Sequence, residues 1–297
     1  NLIYIRDGFF IVPYLAIISI TIGLYNFFKT KLFGISWFIE NSKVINIKLG
    51  DLIYDSYIRY NHKYVDLKIG IKFLQVLIIS IFKCLKISYL INKYNVKSLI
   101  INQDVMATNG AIAIRIGIKN GIKIIEPACN FKRSHYFIEH DKKNLKMGVD
   151  NFYLNYLKYN KKNFANLKLT EKKIDTFLKR RLQGKIEVNY TGIIDLMNAN
   201  KSPKIFSKKY LLKKLSVKEK CIDKIFLFAP HAFSDAPHAQ GKNILFLDYY
   251  DHCKQTLQFI KKNKLKNILW VVRPHPTRIK YGEKKIFDNL FEEIIGY

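Results

Sequence analysis

Closely spaced cysteines are missing from this chain: Cys84, Cys129, Cys221 and Cys253 lie far apart and form no CxxC pair. That excludes a zinc site of the usual spacing and a disulfide framework, and a reducing cytoplasm is the simplest setting. Acidic residues are scarce, with 23 Asp and Glu against 51 Lys and Arg, which leaves a formal charge of +28. Such an excess suits nucleic acid, an anionic membrane surface or phosphorylated substrates, or else a solvated lysine coat on a compositionally biased chain. The basic residues are scattered, and no RGG-like, zinc-finger or RNA-recognition signature accompanies them, which argues against nucleic acid as a partner. A P-loop, a GxGxxG fingerprint, an HExxH pair and a GxSxG elbow are also absent, as is a small-residue cleavage site behind the first apolar stretch.

What is present is a hydrophobic content of 49% in 297 residues, enough for a large core and for two domains. Gly8 to Phe28 holds 21 residues without a charge, interrupted by Pro13, Gly23 and Asn26. It reads as a core helix, with a membrane-surface segment and a true span as the alternatives, given the aromatic and basic flank Phe27-Phe28-Lys29-Thr30-Lys31. Lys43 to Ile47 reads as a strand. Gly50 then supplies a turn that other residues resist, and Asp51 caps a helix whose Leu52, Ile53, Tyr57 and Ile58 form one apolar face. Asp55 and Arg59 stand four apart on it, spaced for an ion pair or a substrate contact. Leu67 to Tyr94 repeats apolar residues near the 3.6-residue period of a core-packing helix.

A βαβ unit follows: strand Ser98 to Asn102, a loop carrying Asp104, helix Asn109 to Asn120 capped by Thr108 or Asn109, Gly121 as its stop, and strand Ile122 to Ile125. Gly110 opens that helix and lets backbone approach a ligand. Asp104, at the carboxyl end of the first strand, is either an ordinary helix-start carboxylate or a catalytic base. Charged helical patches and Asn-rich turns then fill a connector. From Ile222 a second unit runs through strand Ile225 to Ala229, helix Tyr249 to Asn263 and strand Ile268 to Val272. Both strands read as fully buried and parallel. The expected organisation is α/β with residues 1–141 as an N-terminal Rossmann-like domain, 142–221 as a helical connector and 222–297 as a partial C-terminal one. Residue 1 is asparagine and Asp288 to Tyr297 reads as the middle of a helix, so the sequence reads as a piece of a longer chain.

Each strand of the second unit ends in a loop with histidine and proline: Pro230-His231-Ala232-Phe233-Ser234-Asp235-Ala236-Pro237-His238, and Arg273-Pro274-His275-Pro276. Ligands of open α/β sheets bind beyond the carboxyl ends of the strands, which predicts that both loops share one rim. Three chemistries fit. A metal site built on His231, Asp235, His238 and His275 lacks a tight ligand pair. A triad on Ser234 lacks the glycines of a nucleophile elbow. An anionic leaving group, met by His275 and Arg273 and by amides at a helix start, suits loops that proline holds rigid.

The ordered blocks Pro230 to His238, Phe246-Leu247-Asp248-Tyr249-Tyr250, Thr256-Leu257, Val272-Arg273-Pro274-His275-Pro276 and Tyr281-Gly282-Glu283 resemble bacterial surface-polysaccharide glycosyltransferases of capsule and lipopolysaccharide biosynthesis, related to the capsule Kdo-transferases. Gly50 to Tyr57 and the Gly110 to Gly121 helix resemble their N-terminal half. The resemblance implies a GT-B architecture of two Rossmann-like domains, and transfer of a sugar from a nucleotide donor, CMP-linked among the options, to a glycan or glycolipid acceptor without metal or cofactor. It gives His275 the donor phosphate, with Arg273 beside it, and Glu283 the ribose or base. The working hypothesis built on it has His231, Ser234, Asp235 and His238 lining the cleft, Gly110 letting backbone approach the ligand, and Asp104 deprotonating the acceptor hydroxyl. The resemblance also implies a serine-rich phosphate motif after the His-Pro pair, which this sequence lacks. The alternatives are a membrane-associated assembly factor without catalysis and a polyol-phosphate transferase of teichoic-acid type. A cytoplasmic site at the inner face of the cell membrane, with peripheral contact to anionic lipid, fits either the enzyme or the assembly factor.

Overall fold

The computed structural model describes residues 11–61, 69–101, 106–130, 134–140, 176, 207–217, 222–238, 245–263, 267–275, 278–279 and 281–296, with backbone alone at 61, 126–130 and 134–140. Asp104, Pro276 and all of the expected connector except residues 176 and 207–217 lie outside the described residues. Helix α1 spans Ile11–Phe33 and α2 Ile35–Asn41, followed by strands β1 (Lys43–Val44) and β2 (Ile47–Lys48). Helix α3 is Gly50–Asn61, α4 Ile71–Lys93, β3 Ser98–Ile100, α5 Asn109–Lys119, β4 Lys123–Asn130 and β5 Ser134–His140. After α6 (Lys208–Lys214) come β6 (Lys224–Phe228), α7 (Tyr249–Asn263), β7 (Ile268–Val272) and α8 (Lys284–Ile295).

Among the described residues the architecture is mixed helix and strand with three small sheets, of two, three and two strands. Both expected βαβ units are present. β3 and β4 pair in parallel with Leu99 opposite Ile124, and β6 and β7 pair in parallel with Phe226 opposite Trp270. Strand β5 adds antiparallel to β4. The cap and stop of α5 are those the sequence predicts: the Thr108 side chain accepts from the Ala111 amide at 3.2 Å, and Gly121 turns the chain at φ 67.

Helix α3 joins the two halves. Every residue from Asp51 to Ile58 is buried. Leu52, Ile53 and Tyr57 belong to an N-terminal core with Phe38, Phe73, Leu77, Ile81, Ile112 and Ile116, whereas Tyr54 and Ile58 enter a second core with Phe233, Leu257, Phe287 and Leu290. The expected single apolar face is thus two faces, one for each core. Each fully buried Leu or Ile here contributes about 1.5–3 kcal/mol. Among the described residues this shared helix, rather than two Rossmann-like sheets facing each other across a cleft, is what organises the molecule.

Four further expectations are corrected. Lys43 to Ile47 is not one strand but a hairpin, β1 and β2 turning through Ile45 (φ 45) and Asn46 (φ 62), the pair of positive φ angles that matches strand twist in a two-residue loop. Strands β6 and β7 are not fully buried: Phe226 is 41% and Leu227 63% exposed, and as strand neighbours they point to opposite faces, so neither face of the two-stranded sheet is fully covered among the described residues. The segment from Asp288 onward is the end of a helix, not its middle, since α8 stops at Ile295 and Gly296 takes φ 80. Gly50 does not provide a left-handed turn; it is the first residue of α3, and a Cβ there would lie 2.0 Å from the carbonyl oxygen of Phe38. What requires glycine is the close approach of α2 backbone to the start of α3.

Because that neighbour is backbone and cannot rotate away, Gly50→Ala is expected to destabilise by about 3 kcal/mol. Helix propensity alone predicts the opposite sign, a gain of up to about 1 kcal/mol. A urea midpoint that falls supports the close approach; one that is unchanged or raised contradicts it.

Candidate functional site

The two histidine loops leave the same end of the β6–β7 pair, and they meet. The ladder continues one step past the strands, the Arg273 amide donating to the Phe228 carbonyl at 2.9 Å. Beyond it the rings of His231 and His275 stack with centroids 5.3 Å apart, and His231 stacks on Tyr249 at 4.5 Å. The shared rim that the sequence predicts is therefore present. Pro230 ahead of His231, Pro237 ahead of His238 and Pro274 ahead of His275 limit the backbone freedom of both loops.

The first loop is clamped by side chains from other elements. Phe233 is buried against Tyr250 and Phe287, with ring centroids 5.4 and 6.3 Å away. The Phe233 and Ser234 amides donate to the two carboxylate oxygens of Glu283 at 3.0 and 2.7 Å. Arg59 donates to the Ser234 carbonyl and hydroxyl at 3.4 and 3.3 Å, and lies 4.2 Å from the centroid of the Tyr281 ring. At the far end the His238 amide donates to both oxygens of Asp55, at 3.3 and 3.2 Å, and His238 Nδ1 lies 2.8 Å from Asp55 Oδ1. Asp55 has no exposed surface, and a buried carboxylate is tolerated only when donors surround it.

These contacts divide the residues that the sequence singles out. His231, Asp235 and His275 come together: His231 Nδ1 is 3.6 Å from Asp235 Oδ2, a half-exposed pair that steers the ring more than it stabilises the fold. Arg273 is on the same rim and exposed. Ser234 is fully buried, so it holds the loop instead of lining an open cleft. Glu283 is 2% exposed with both carboxylate oxygens on loop amides, an anchor for the loop. Gly110 sits in the first turn of α5, and Asp104 is outside the described residues. His238 is held on α3 by Asp55.

Sequence reasoning missed Arg278. It lines a small cavity with His231, His275 and Glu283, and its Nε is buried without a hydrogen-bond partner among the described residues. A guanidinium N–H in that state is a donor awaiting an acceptor. It also missed Tyr54, whose hydroxyl donates to Asp248 at 2.6 Å, while Asp248 caps α7 by accepting from the Asp251 amide at 2.8 Å. Burial, then the neighbouring carboxylate, pushes the Tyr54 phenol far up, and burial also raises Asp248. Burial pushes the thiols of Cys84 and Cys253 up to about 12, which leaves them unreactive.

Burial lowers the pKa of His275, and His231 beside it lowers it further, against a smaller opposing pull from Asp235 and Glu283. At neutral pH His275 is therefore an uncharged imidazole that can donate one N–H. Among the described residues no group of three His, Cys, Asp or Glu side chains is arranged to hold a metal. The rim brings together two stacked imidazoles, one unsatisfied guanidinium donor and an exposed arginine at the ends of parallel strands, with the carboxylates of Asp235 and Glu283 beside them.

No protein-family model, no curated protein and no solved structure matches this chain. Function is therefore argued from the residues and their geometry.

The depressed His275 has a consequence for stability. A folded pKa below the unfolded value of 6.5 means that the unfolded chain binds the proton first, so stability is full above that value and falls as pH drops from it toward the folded value. His252, also lowered by burial, acts in the same direction. Denaturant midpoints measured from pH 7.5 to pH 5 should fall on acidification, and His275→Gln should flatten part of that fall; a profile unchanged by the substitution contradicts the assignment.

Proposed function

We propose that this chain is a glycosyltransferase that moves a sugar from a nucleotide-activated donor, CMP-linked among the candidates, to a growing bacterial surface polysaccharide, working without metal or cofactor. The observation that carries the reading is the meeting of His231, His275 and the unsatisfied Arg278 Nε at the ends of β6 and β7. Sugar transfer leaves a nucleotide whose terminal phosphate oxygen gains charge as the glycosidic bond breaks. Donors preplaced at that oxygen stabilise the transition state by about 3 kcal/mol each. His275, uncharged before the donor arrives, gives an N–H to the phosphate and becomes easier to protonate beside it. Arg278 supplies fixed charge through a guanidinium shaped for phosphate oxygens, and Arg273 adds to the field from the rim.

The order of sequence blocks supports the same reading, through the resemblance to capsule and lipopolysaccharide glycosyltransferases. A polyol-phosphate transferase would draw on the same histidines and differs in its donor. An assembly factor without catalysis would need no nucleotide. The discriminating assay offers the purified chain CMP-, UDP-, GDP- and CDP-activated donors with a bacterial envelope glycolipid extract as acceptor. Transfer from one sugar donor is expected, with His275→Ala lowering turnover roughly 10²–10³-fold. Full activity of that variant sinks the assignment, and absence of nucleotide binding favours the assembly factor.

A place for this activity at an anionic membrane is supported by α1. Leu15, Ser19, Gly23, Asn26 and Thr30 face the protein, and Ser19, Asn26 and Thr30 satisfy their polar atoms on carbonyls four residues back. The opposite face presents Tyr14, Ile17, Leu24, Phe28 and Leu32 to solvent, with Leu32 76% exposed. Both α1 and α4 are long and apolar enough to cross a bilayer, but they pack on each other, with Gly23 closely apposed to Ile78. An apolar stripe fringed by Lys29 and Lys31 on a chain of charge +28 fits a helix lying in an anionic interface. The chain should sediment with vesicles containing phosphatidylglycerol and not with purely zwitterionic ones, and Ile17→Asp with Phe28→Asp should abolish sedimentation. Equal sedimentation of the double variant contradicts this placement.

A further inference from the structure

Loop 230–238 has a second histidine at its far end, and that histidine faces a different space. His238 lines a cavity of about 820 Å³ bounded by α2, the β1–β2 hairpin, the first turn of α3, the end of α5 and Leu245 to Leu247. The volume is within the range of small-molecule sites. Its wall carries Lys48, Lys119 and Arg115, of which Arg115 is committed to Asp51 through two hydrogen bonds at 2.6 and 2.8 Å. This cavity is separate from the small one that holds His275 and Arg278.

The tautomer of His238 follows from its partner. A carboxylate only accepts hydrogen bonds, so the 2.8 Å contact between Nδ1 and Asp55 Oδ1 requires the proton on Nδ1. In the neutral ring Nε2 is then the nitrogen with the free electron pair, and it makes no hydrogen bond to any described residue. Asp55 is fully buried on α3, and it fixes the ring through both the backbone amide and Nδ1. The Tyr54 ring packs edge-on against the imidazole with centroids 5.3 Å apart, which limits its rotation. A histidine on a cavity wall, held through one ring nitrogen by a buried aspartate, has the orientation device of a general base.

We propose that the cavity receives the acceptor and that His238, oriented by Asp55, deprotonates its hydroxyl group, the role that sequence reading gives to Asp104. The proposal rests on the glycosyltransferase reading. In the step, the acceptor hydroxyl proton passes to His238 Nε2 as the acceptor oxygen bonds to the anomeric carbon. The bond from that carbon to the donor phosphate breaks, and its electron pair leaves on the phosphate oxygen, which the His275 rim stabilises. Asp55 does not take the proton; it stabilises the imidazolium that forms. One loop, anchored by Glu283 at its centre, thus carries His231, stacked on the leaving-group histidine His275, at its start and the base at its end.

Asparagine places an amide nitrogen near the position of Nδ1 and offers nothing at Nε2, so His238→Asn keeps the bond to Asp55 and removes the base. The test uses the full chain, the same four classes of activated donor and the same glycolipid extract. His238→Asn is expected to keep the wild-type unfolding midpoint and nucleotide affinity while losing transfer roughly 10²–10⁴-fold. Imidazole in solution is expected to restore part of the activity of His238→Gly, a rescue that a purely structural role does not produce. Nitrogen-15 shifts of His238 should report a protonated Nδ1 and an unprotonated Nε2. Wild-type turnover in His238→Asn, lack of rescue, or a protonated Nε2 in the neutral ring overturns the dyad alone. A wild-type chain that transfers no sugar overturns the glycosyltransferase reading and the dyad with it.

Discussion

The structure depends on charges buried along α3. Asp55 has no contact with solvent, and an isolated carboxylate in that position would be costly enough to be driven neutral. Its bonds to the amide and ring of His238 resolve this, and they do so only when the C-terminal loop is seated against the N-terminal helix. Tyr54 with Asp248, one residue before, and Arg59 with Ser234, one turn after, add further polar links to the C-terminal half. Such pairs add little net stability compared with apolar residues of the same shape, yet breaking one leaves a buried group unpaired. Their effect is to fix register: the two cores meet in one way, and the loop from Pro230 to His238 is placed by that meeting.

Placement of that loop is what turns a fold into a site. Glu283 holds its middle through two amides, and Phe233 plugs it into the core between Tyr250 and Phe287. A loop restrained at its start by Pro230, at its centre by a carboxylate and at its end by Pro237 and Asp55 loses little entropy when a ligand binds. The rim of His231, His275 and Arg278 and the cavity at His238 are thus held in fixed relation by the same backbone, as a reaction joining a donor to an acceptor requires.

Much of the local structure was legible in the sequence because it is written locally. The period of α4, the Thr108 cap and Gly121 stop of α5, and the apolar strands feeding the histidine loops all depend on near neighbours, and the shared rim followed from the rule for strand ends. The role of α3 was not legible. A helix buried on all sides and carrying Asp51, Asp55 and Arg59 has the residue types of a surface helix, and the partner that makes Asp55 tolerable lies 183 positions along the chain. Ser234 and Glu283 were read as ligand contacts for a related reason: polar residues in loops beside histidines look functional until their partners are known, and here those partners are an arginine and two amides. Arg278 gave no signal in sequence, being one basic residue among 51 Lys and Arg; only the burial of its Nε without an acceptor distinguishes it.

The central claim is that the histidine rim receives the phosphate of an activated donor. A crystal structure of the chain soaked with CMP, UDP, GDP and CDP in turn tests it most directly. The account predicts that one of them binds with a phosphate oxygen within hydrogen-bonding distance of His275 and Arg278 Nε, beside His231. A nucleotide bound elsewhere, or none bound while the rim stays as it is, would contradict it.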